Sequence, residues 1–161
     1  MPSLFLCLYK RRGATDYHWA LAPHQETDAT APYNPTNFYQ IDTYWGNWVT
    51  THGSGFLGNA NQFVGCVKLP PVEFVDYPEL THRINALSAT PPVGYSMYYG
   101  VAWSCIEWVL VLLRQLAEGG HINIDLQGFV AMITGWARQM QNGTLGVVYN
   151  NNVRVVTPNW S

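Results

Sequence analysis

The sequence predicts a single α+β domain over residues 1–161, in which an antiparallel sheet packs against a helix that carries a cysteine. Short β-prone segments fill the first half of the chain, segments with helical periodicity follow, and no repeat or linker divides it. Hydrophobic residues make up 48% of the chain and charged residues only 11%, so the chain can bury a core and its surface must rely on neutral polar groups.

The first segments predict a hairpin. Residues 4–9 and 17–21 are apolar and β-prone, and the residues between them have turn chemistry. The basic cluster at residues 10–12 is interpreted as a solvated turn after the first strand. Residues 23–36, with three prolines, predict a loop.

More strands are expected before the helices. Residues 38–44 predict a strand, and the glycine-rich residues 45–61 predict a ragged strand followed by a long, flexible loop that can act as a lid. The pattern Gly-x-Gly-x-x-Gly at residues 53–58 is not a phosphate cradle, because no helix is predicted after it. Residues 62–69 alternate well enough for another strand.

Apolar spacing predicts a short helix at residues 77–87 and a continuous apolar helix at residues 104–116, capped by Ser104. A further helix is expected from Asp125, as its cap, to residue 140. The tail predicts a hairpin that pairs residues 145–149 with 153–156.

Charge and length exclude several classes of function. With 8 Lys and Arg and a net charge of −2, no basic field can neutralise a run of phosphates, so nucleic acid is not expected as a partner. The longest apolar helical stretch, residues 109–113, is far below the ~20 residues that cross a bilayer. No signal peptide is recognised, and an odd number of cysteines at wide spacing favours a reducing compartment, so a cytoplasmic location is expected. The oligomeric state is left open.

Cys105 falls in the first turn of the predicted apolar helix. Free amides and the helix dipole at that position favour a thiolate, and the same amides can bind an oxyanion. His18, on the second predicted strand, can act as the base if that strand lies near the helix start. A buried cysteine is more often inert packing, and a lone strand histidine is often a hydrogen-bonded core residue.

Two motifs carry a resemblance. The sequence Tyr-His-Trp-Ala-Leu at residues 17–21 and Trp-Ser-Cys-Ile-Glu-Trp-Val at residues 103–109 resemble the circularly permuted papain-like superfamily, which includes lecithin–retinol acyltransferase-like proteins. They are similar, more closely, to a fungal family of small domains within it. The resemblance covers roughly residues 4–118, and implies a thiol enzyme with Cys105 as nucleophile and His18 as general base. Ser104 stands where those proteins usually have Asn.

The resemblance also implies a third group on the next strand, where relatives usually have histidine or another polar residue. Here that segment offers Gln40 and Asp42, which share one face of a strand. Either can hold the imidazole in one tautomer. The departure from histidine is compatible with a weaker base, a different reaction, or loss of activity.

Aromatic residues make up 14% of the chain, more than a core of this size readily hides, so some are expected to line a pocket. The residues expected to contact a small-molecule substrate are Trp19, Trp45, Trp103 and Tyr39. No cofactor is expected. No metal site is expected either, because no histidine or cysteine pair has zinc-ligand spacing. His24 is the reserve candidate for a second imidazole near the pocket.

Three functions follow from these observations. The first is a cysteine-dependent hydrolase or acyltransferase that acts on a small organic, acyl or amide substrate. The second is a biosynthetic enzyme that uses the same Cys-His pair for cyclisation, isomerisation or conjugate addition in an aromatic pocket. The third is a non-catalytic domain that binds a small molecule or a protein, in which Gln40 and Ser104 mark a decayed site.

Overall fold

The fold is α+β, and in chain order its α-helices follow the strands of the first half and precede two short strands near the C-terminus. The computed structural model describes residues 1–11, 17–26, 29, 31–32, 34–95 and 102–160. In chain order its strands are β1 (Ser3–Lys10), β2 (Tyr17–His24), β3 (Thr36–Phe38), β4 (Ile41–Tyr44), β5 (Asn47–Thr50), β6 (Gly53–Gly55), β7 (Phe63–Lys68), β8 (Val147–Val148) and β9 (Arg154–Val156). Its α-helices are α1 (Tyr77–Asn85), α2 (Cys105–Glu118) and α3 (Phe129–Gln141).

The main sheet is mixed, with the strand order β2-β1-β7-β9-β8 over the described residues. β1 pairs antiparallel with β2, as the predicted first hairpin requires. On its other side β1 pairs antiparallel with β7. β9, however, lies parallel to β7, so the prediction of an antiparallel sheet is wrong at this strand. The chain reaches β9 after α3 and the short strand β8, and only long-range pairing decides the direction in which β9 enters the sheet.

The tail hairpin is confirmed but is shorter than predicted. β8 and β9 pair antiparallel, and Asn151 and Asn152 between them have φ values of 59° and 60°. Two successive residues in this left-handed region form the turn that matches the twist of paired strands, and asparagine tolerates it well.

The two faces of β1 and β2 contribute to different cores. One face packs against the helices and forms the larger core, which includes Leu4, Leu6, Leu8, Tyr17, Trp19 and Leu21. The opposite face forms a smaller core, which includes Phe5, Cys7, Ala20, Ala22, Leu57 and Cys66. Because side chains alternate along a strand, His18 falls on the face of the smaller core, where it is the register partner of Tyr9.

The predicted strand at residues 38–44 is divided at Gln40. β3 pairs with β6, β4 pairs with β5, and Tyr39 between them makes an isolated bridge to Leu21 of β2. The segment 45–61, expected to be a ragged strand and a loop, contains β5, β6 and a one-turn 3-10 helix at Leu57–Asn59. The pairings of β5 with β4 and of β6 with β3 satisfy the backbone N–H and C=O groups of this segment. The sequence alone does not predict the register of either pairing.

The predicted helix at residues 77–87 is present and ends two residues earlier, at Asn85. The last helix begins later than predicted. Its N-cap is Gly128 at φ 69°, and Asp125 instead accepts the backbone N–H of Gln127 at 2.9 Å. Asp125 therefore closes a turn in front of the helix, as a short polar side chain does readily. The predicted turn at residues 12–16 lies outside the described residues, as do several positions of the predicted loop at 23–36. Within the described ranges, no helix is both long and apolar enough to cross a membrane.

The 3-10 helix at Leu57–Asn59 provides a test of the packing. A Cβ added at Gly58 would overlap the backbone carbonyl oxygen of Asn151, whereas a Cβ at Gly135 in α3 has open space. We expect Gly58→Ala to lower the free energy of unfolding by about 1–3 kcal/mol because backbone must move. The control Gly135→Ala should raise it by about 0.5–1 kcal/mol, since alanine favours the helix. Urea denaturation of both variants measures this, and equal stability of the two would contradict the packing described.

Candidate functional site

Cys105 is the first residue of α2, and the predicted cap is present. Ser104 is extended (φ −157°, ψ 178°), and its hydroxyl oxygen accepts the N–H of Ile106 at 3.2 Å. Other amides of the first turn keep their hydrogen-bonding capacity, and with the helix dipole they favour negative charge at this end. The side chain of Cys105 is completely buried.

The sulfur of Cys105 lies at the outer edge of β2. β2 is an edge strand of the main sheet, and on its outer side the N–H of Leu21 donates to the carbonyl of Tyr39 at 2.9 Å. Backbone N–H groups two residues apart on a strand point the same way, so the N–H of Trp19 also points outward. A hydrogen bond from this N–H is one of the causes that lower the pKa of the Cys105 thiol.

His18 connects Cys105 to Gln40. The Nε2 atom of His18 lies 2.7 Å from Oε1 of Gln40, and the amide nitrogen of Gln40 donates to the carbonyl of Thr51 at 3.2 Å. That second bond fixes which end of the amide faces the ring, so Gln40 presents an oxygen and Nε2 carries the proton. A hydrogen bond with the side chain of Cys105 is one of the causes that raise the pKa of His18, and Nδ1 is the ring nitrogen that remains for it.

Arg11 is a further partner of the sulfur. Its Nη2 atom donates to Sγ of Cys105 at 2.9 Å, and the side chain is half-buried. The interpretation of residues 10–12 as a solvated turn is therefore wrong for Arg11. Tyr9 of β1 is the register partner of His18. Because alternate residues share a face, Arg11, two residues after Tyr9, lies on the same side of the sheet as His18.

These contacts lower the pKa of the Cys105 thiol and raise the pKa of the His18 imidazole. Burial would raise the pKa of the Cys105 thiol, but the hydrogen bond and charge of His18, the N–H of Trp19 and the charge of Arg11 lower it below its ordinary value. Burial would lower the pKa of His18, but the hydrogen bond and charge of Cys105, the hydrogen bond of Gln40 and the charge of Asp42 raise it. A lowered thiol pKa next to a raised imidazole pKa favours a thiolate–imidazolium pair.

His52 is hydrogen-bonded to the backbone of Gln40. Its Nδ1 atom accepts the backbone N–H of Gln40 at 3.0 Å, so this nitrogen is unprotonated. Burial lowers the pKa of His52, which keeps the ring neutral. The ring packs at 4.9 Å from the ring of Tyr39 and 6.0 Å from that of Trp108. His52 therefore has a positioning role that the sequence did not reveal.

A cleft of about 400 Å³ opens beside His18. Its lining combines aromatic and aliphatic side chains with neutral polar groups and one carboxylate, and comprises Tyr9, His18, Phe38, Gln40, Asp42, Ser54, Gly55, Phe56, Leu57, Ala60 and Gln62. The glycine-rich segment expected to form a loop thus supplies one wall, through β6 and the residues after it. A cleft of this size can hold a small organic molecule.

The four residues predicted to orient or perform the chemistry come together. Cys105, His18 and Gln40 are joined by hydrogen bonds, while Asp42 acts on His18 through its charge. The carboxylate of Asp42 is exposed and accepts the N–H of Thr43 at 2.8 Å. Of the two alternatives for the third group, Gln40 therefore makes the orienting contact.

None of the four aromatic residues expected to contact substrate is among those that line this cleft. Trp19 is 1% exposed and packs edge-on against Phe129, so its backbone, not its ring, belongs to the site. Trp45 is 86% exposed at the tip of the β4–β5 hairpin. The remaining two are buried, with Trp103 donating to the carbonyl of Ala89 and Tyr39 bridging β2. Among the described residues, the aromatic side chains that line the cleft beside His18 are Tyr9, Phe38 and Phe56.

His24 lies at the opposite end of β2 from His18, where its Nδ1 accepts the N–H of Glu26 at 3.2 Å. It lines a separate cavity and supplies no second imidazole to the cleft. Over the described residues, no group of three or more His, Cys, Asp or Glu side chains is arranged to hold a metal ion.

No protein-family model, no curated protein and no solved structure matches this chain. The geometry of the site is therefore the basis for assigning a function to this chain.

The orienting contact of Gln40 can be tested by following ionisation of the Cys105 thiol. We expect the wild-type thiol to ionise below the ordinary value of 9.0, because His18 and Arg11 stabilise the thiolate. In Gln40→Leu the imidazolium loses its acceptor, so the pKa of Cys105 should rise towards 9.0 and the thiolate population at neutral pH should fall roughly tenfold. The ultraviolet absorbance of the thiolate against pH measures this.

Two variants serve as controls for that titration. Gln40→Glu keeps an oxygen acceptor and should preserve the low pKa of the Cys105 thiol, and Asp42→Asn should change it little because that carboxylate is exposed. Cys7 and Cys66 are fully buried, and the pKa of Cys66 is raised well above 9.0, so that thiol does not ionise in the same range. An unchanged pKa in Gln40→Leu would show that Gln40 does not orient His18.

Proposed function

We propose that the protein is a cysteine-dependent enzyme that hydrolyses or transfers an acyl group of a small organic substrate. One observation carries the proposal: the side chains of Cys105 and His18 interact so that each lowers or raises the other's pKa, the thiol's downwards and the imidazole's upwards, and Gln40 holds that imidazole in one tautomer. A nucleophile, a base and a group that orients the base form a recurrent arrangement in acyl-transfer enzymes.

In the proposed reaction, the thiolate of Cys105 attacks the carbonyl carbon of the substrate and forms a carbon–sulfur bond. The carbonyl oxygen becomes an oxyanion, which the amides at the start of α2 can bind. The intermediate then expels the leaving group, which takes a proton from Nδ1 of His18. An acyl thioester on Cys105 results.

The second half of the reaction returns the enzyme to its starting state. Water or an acceptor hydroxyl or amine attacks the thioester, and His18 takes up its proton at Nδ1. The carbon–sulfur bond breaks and the thiolate is regenerated beside the imidazolium. Whether water or another acceptor attacks decides between hydrolysis and transfer.

We further propose that the fold is a permuted papain-like one. The order of the chain supports this, because the strand that carries His18 precedes the helix that begins with Cys105, and the orienting residue lies on the following segment. The α+β arrangement, with Cys105 at the edge of the sheet, is compatible with the resemblance of the two motifs. A reducing cytoplasm suits this chemistry, since Cys7, Cys66 and Cys105 are all free thiols.

The proposal can be tested by alkylation with iodoacetamide at neutral pH. Cys105 should react much faster than a free thiol, and His18→Ala should slow the reaction by about a hundredfold because the thiolate loses its partner. His24→Ala is the matched control, since it removes a histidine from the other end of the same strand, and it should leave the rate unchanged. Mass spectrometry of digested protein identifies the labelled cysteine.

The class of reaction is tested with activated esters and thioesters of small carboxylic acids. Mass spectrometry of the intact protein should detect an acyl adduct on Cys105 that is absent from Cys105→Ser. Fast alkylation without any acyl adduct would favour cyclisation, isomerisation or conjugate addition at the same pair. Ordinary reactivity that does not depend on His18 would refute the enzyme proposal and favour a non-catalytic binding domain.

A further inference from the structure

Arg11 has a position at the site that stabilisation of a thiolate does not fully explain. Its guanidinium donates to the sulfur of Cys105 at 2.9 Å, although His18 already pairs with the same atom. Among the described residues, no carboxylate lies within salt-bridge distance of Arg11. When the sulfur of Cys105 is ionised, it is thus the anion that this half-buried cation contacts in the described part of the chain.

That contact does not last through the proposed reaction. When Cys105 forms a carbon–sulfur bond, the negative charge leaves the sulfur, first for the carbonyl oxygen and then for the leaving group. The half-buried guanidinium then faces a neutral thioester and has lost its anionic partner. Leaving a partly buried charge without a partner is unfavourable.

A negatively charged group on the substrate would remove this penalty. A carboxylate accepts two parallel hydrogen bonds from a guanidinium, which suits arginine better than any neutral acceptor. The same carboxylate would draw Arg11 off the buried sulfur and so expose it to attack. A neutral substrate must displace Arg11 with nothing to compensate.

The carboxylate of Asp42 does not offset this preference. Among the described residues it is the carboxylate that lines the cleft, and it is exposed to solvent, which screens its interaction with a substrate. Arg11 is half-buried and touches the reacting atom. Gln40, Ser54 and Gln62, which also line the cleft, are neutral, so they add no charge to set against that of Arg11 at the sulfur.

We propose that Arg11 selects substrates that carry a carboxylate close to the carbonyl that Cys105 attacks. The proposal rests on the proposed function, because it needs Cys105 to be the nucleophile. It makes Arg11 a catalytic residue that binds the substrate anion after it has released the sulfur. The substrate class is then an ester, thioester or amide of an acid that bears a further carboxylate.

The test compares iodoacetate, which carries a carboxylate, with iodoacetamide, its neutral analogue. Both form a carbon–sulfur bond with the thiolate and release iodide, so they differ only in charge. The measured quantity is the rate with iodoacetate divided by the rate with iodoacetamide, and this ratio for Cys105 is normalised by the same ratio for a free small thiol. We expect the normalised ratio to be about ten. In Arg11→Gln that normalised ratio should fall to about one.

Lys10→Gln is the matched control, because it removes the same charge from an exposed neighbour, and it should leave the ratio unchanged. A second measurement needs no variant: acetate should slow alkylation of the wild-type protein by iodoacetamide more than equal concentrations of acetamide or chloride do. If this protection is absent and the ratio is the same in wild type and Arg11→Gln, the substrate inference is wrong while the proposed function stands. If Cys105 reacts with neither reagent faster than a free thiol, the proposed function itself fails.

Discussion

The site depends on the contact between the start of α2 and the open edge of β2. An edge strand has outward N–H groups that need partners. Here the carbonyl of Tyr39 takes one and the sulfur of Cys105 takes another. The same edge therefore holds the segment that carries Gln40 and the helix that carries the thiol. Because both are bonded to β2, His18 of that strand lies between them.

Burial and charge oppose each other at this edge, and the geometry decides which prevails. Burial by itself would keep Cys105 as a thiol and His18 as a neutral imidazole. For Cys105 this effect of burial is outweighed by His18, Arg11 and the N–H of Trp19, and the pKa of the thiol falls. For His18 it is outweighed by Cys105, Gln40 and Asp42, and the pKa of the imidazole rises. Both shifts favour the ion pair. Cys66 illustrates the contrast, since burial beside Cys7 without a cation raises its pKa. Similar burial thus accompanies a raised thiol pKa in the smaller core and a lowered one at the helix start.

Much of the fold could be predicted because its signals are local. Apolar alternation located β1, β2 and β7, and the cap at Ser104 placed the first residue of α2 correctly. The differences occur where a partner elsewhere in the chain decides. Residues 45–61 contain β6 in addition to the expected ragged strand, because β6 pairs with β3, and β9 is parallel because it meets β7. Neither of these two pairings leaves a mark in the segment's own sequence.

From the sequence, the resemblance of two motifs predicted Cys105 as the thiol and His18 as the imidazole of the candidate site, whereas their positions at a helix start and on a strand are weak signals taken alone. It also limited the orienting group to two residues on one face. Only the tertiary structure decided that Gln40 makes the contact, that His52 holds it and that Arg11 reaches the sulfur. These depend on strand register and on how segments far apart in the chain meet, and a shift of one residue would point each side chain to the other face.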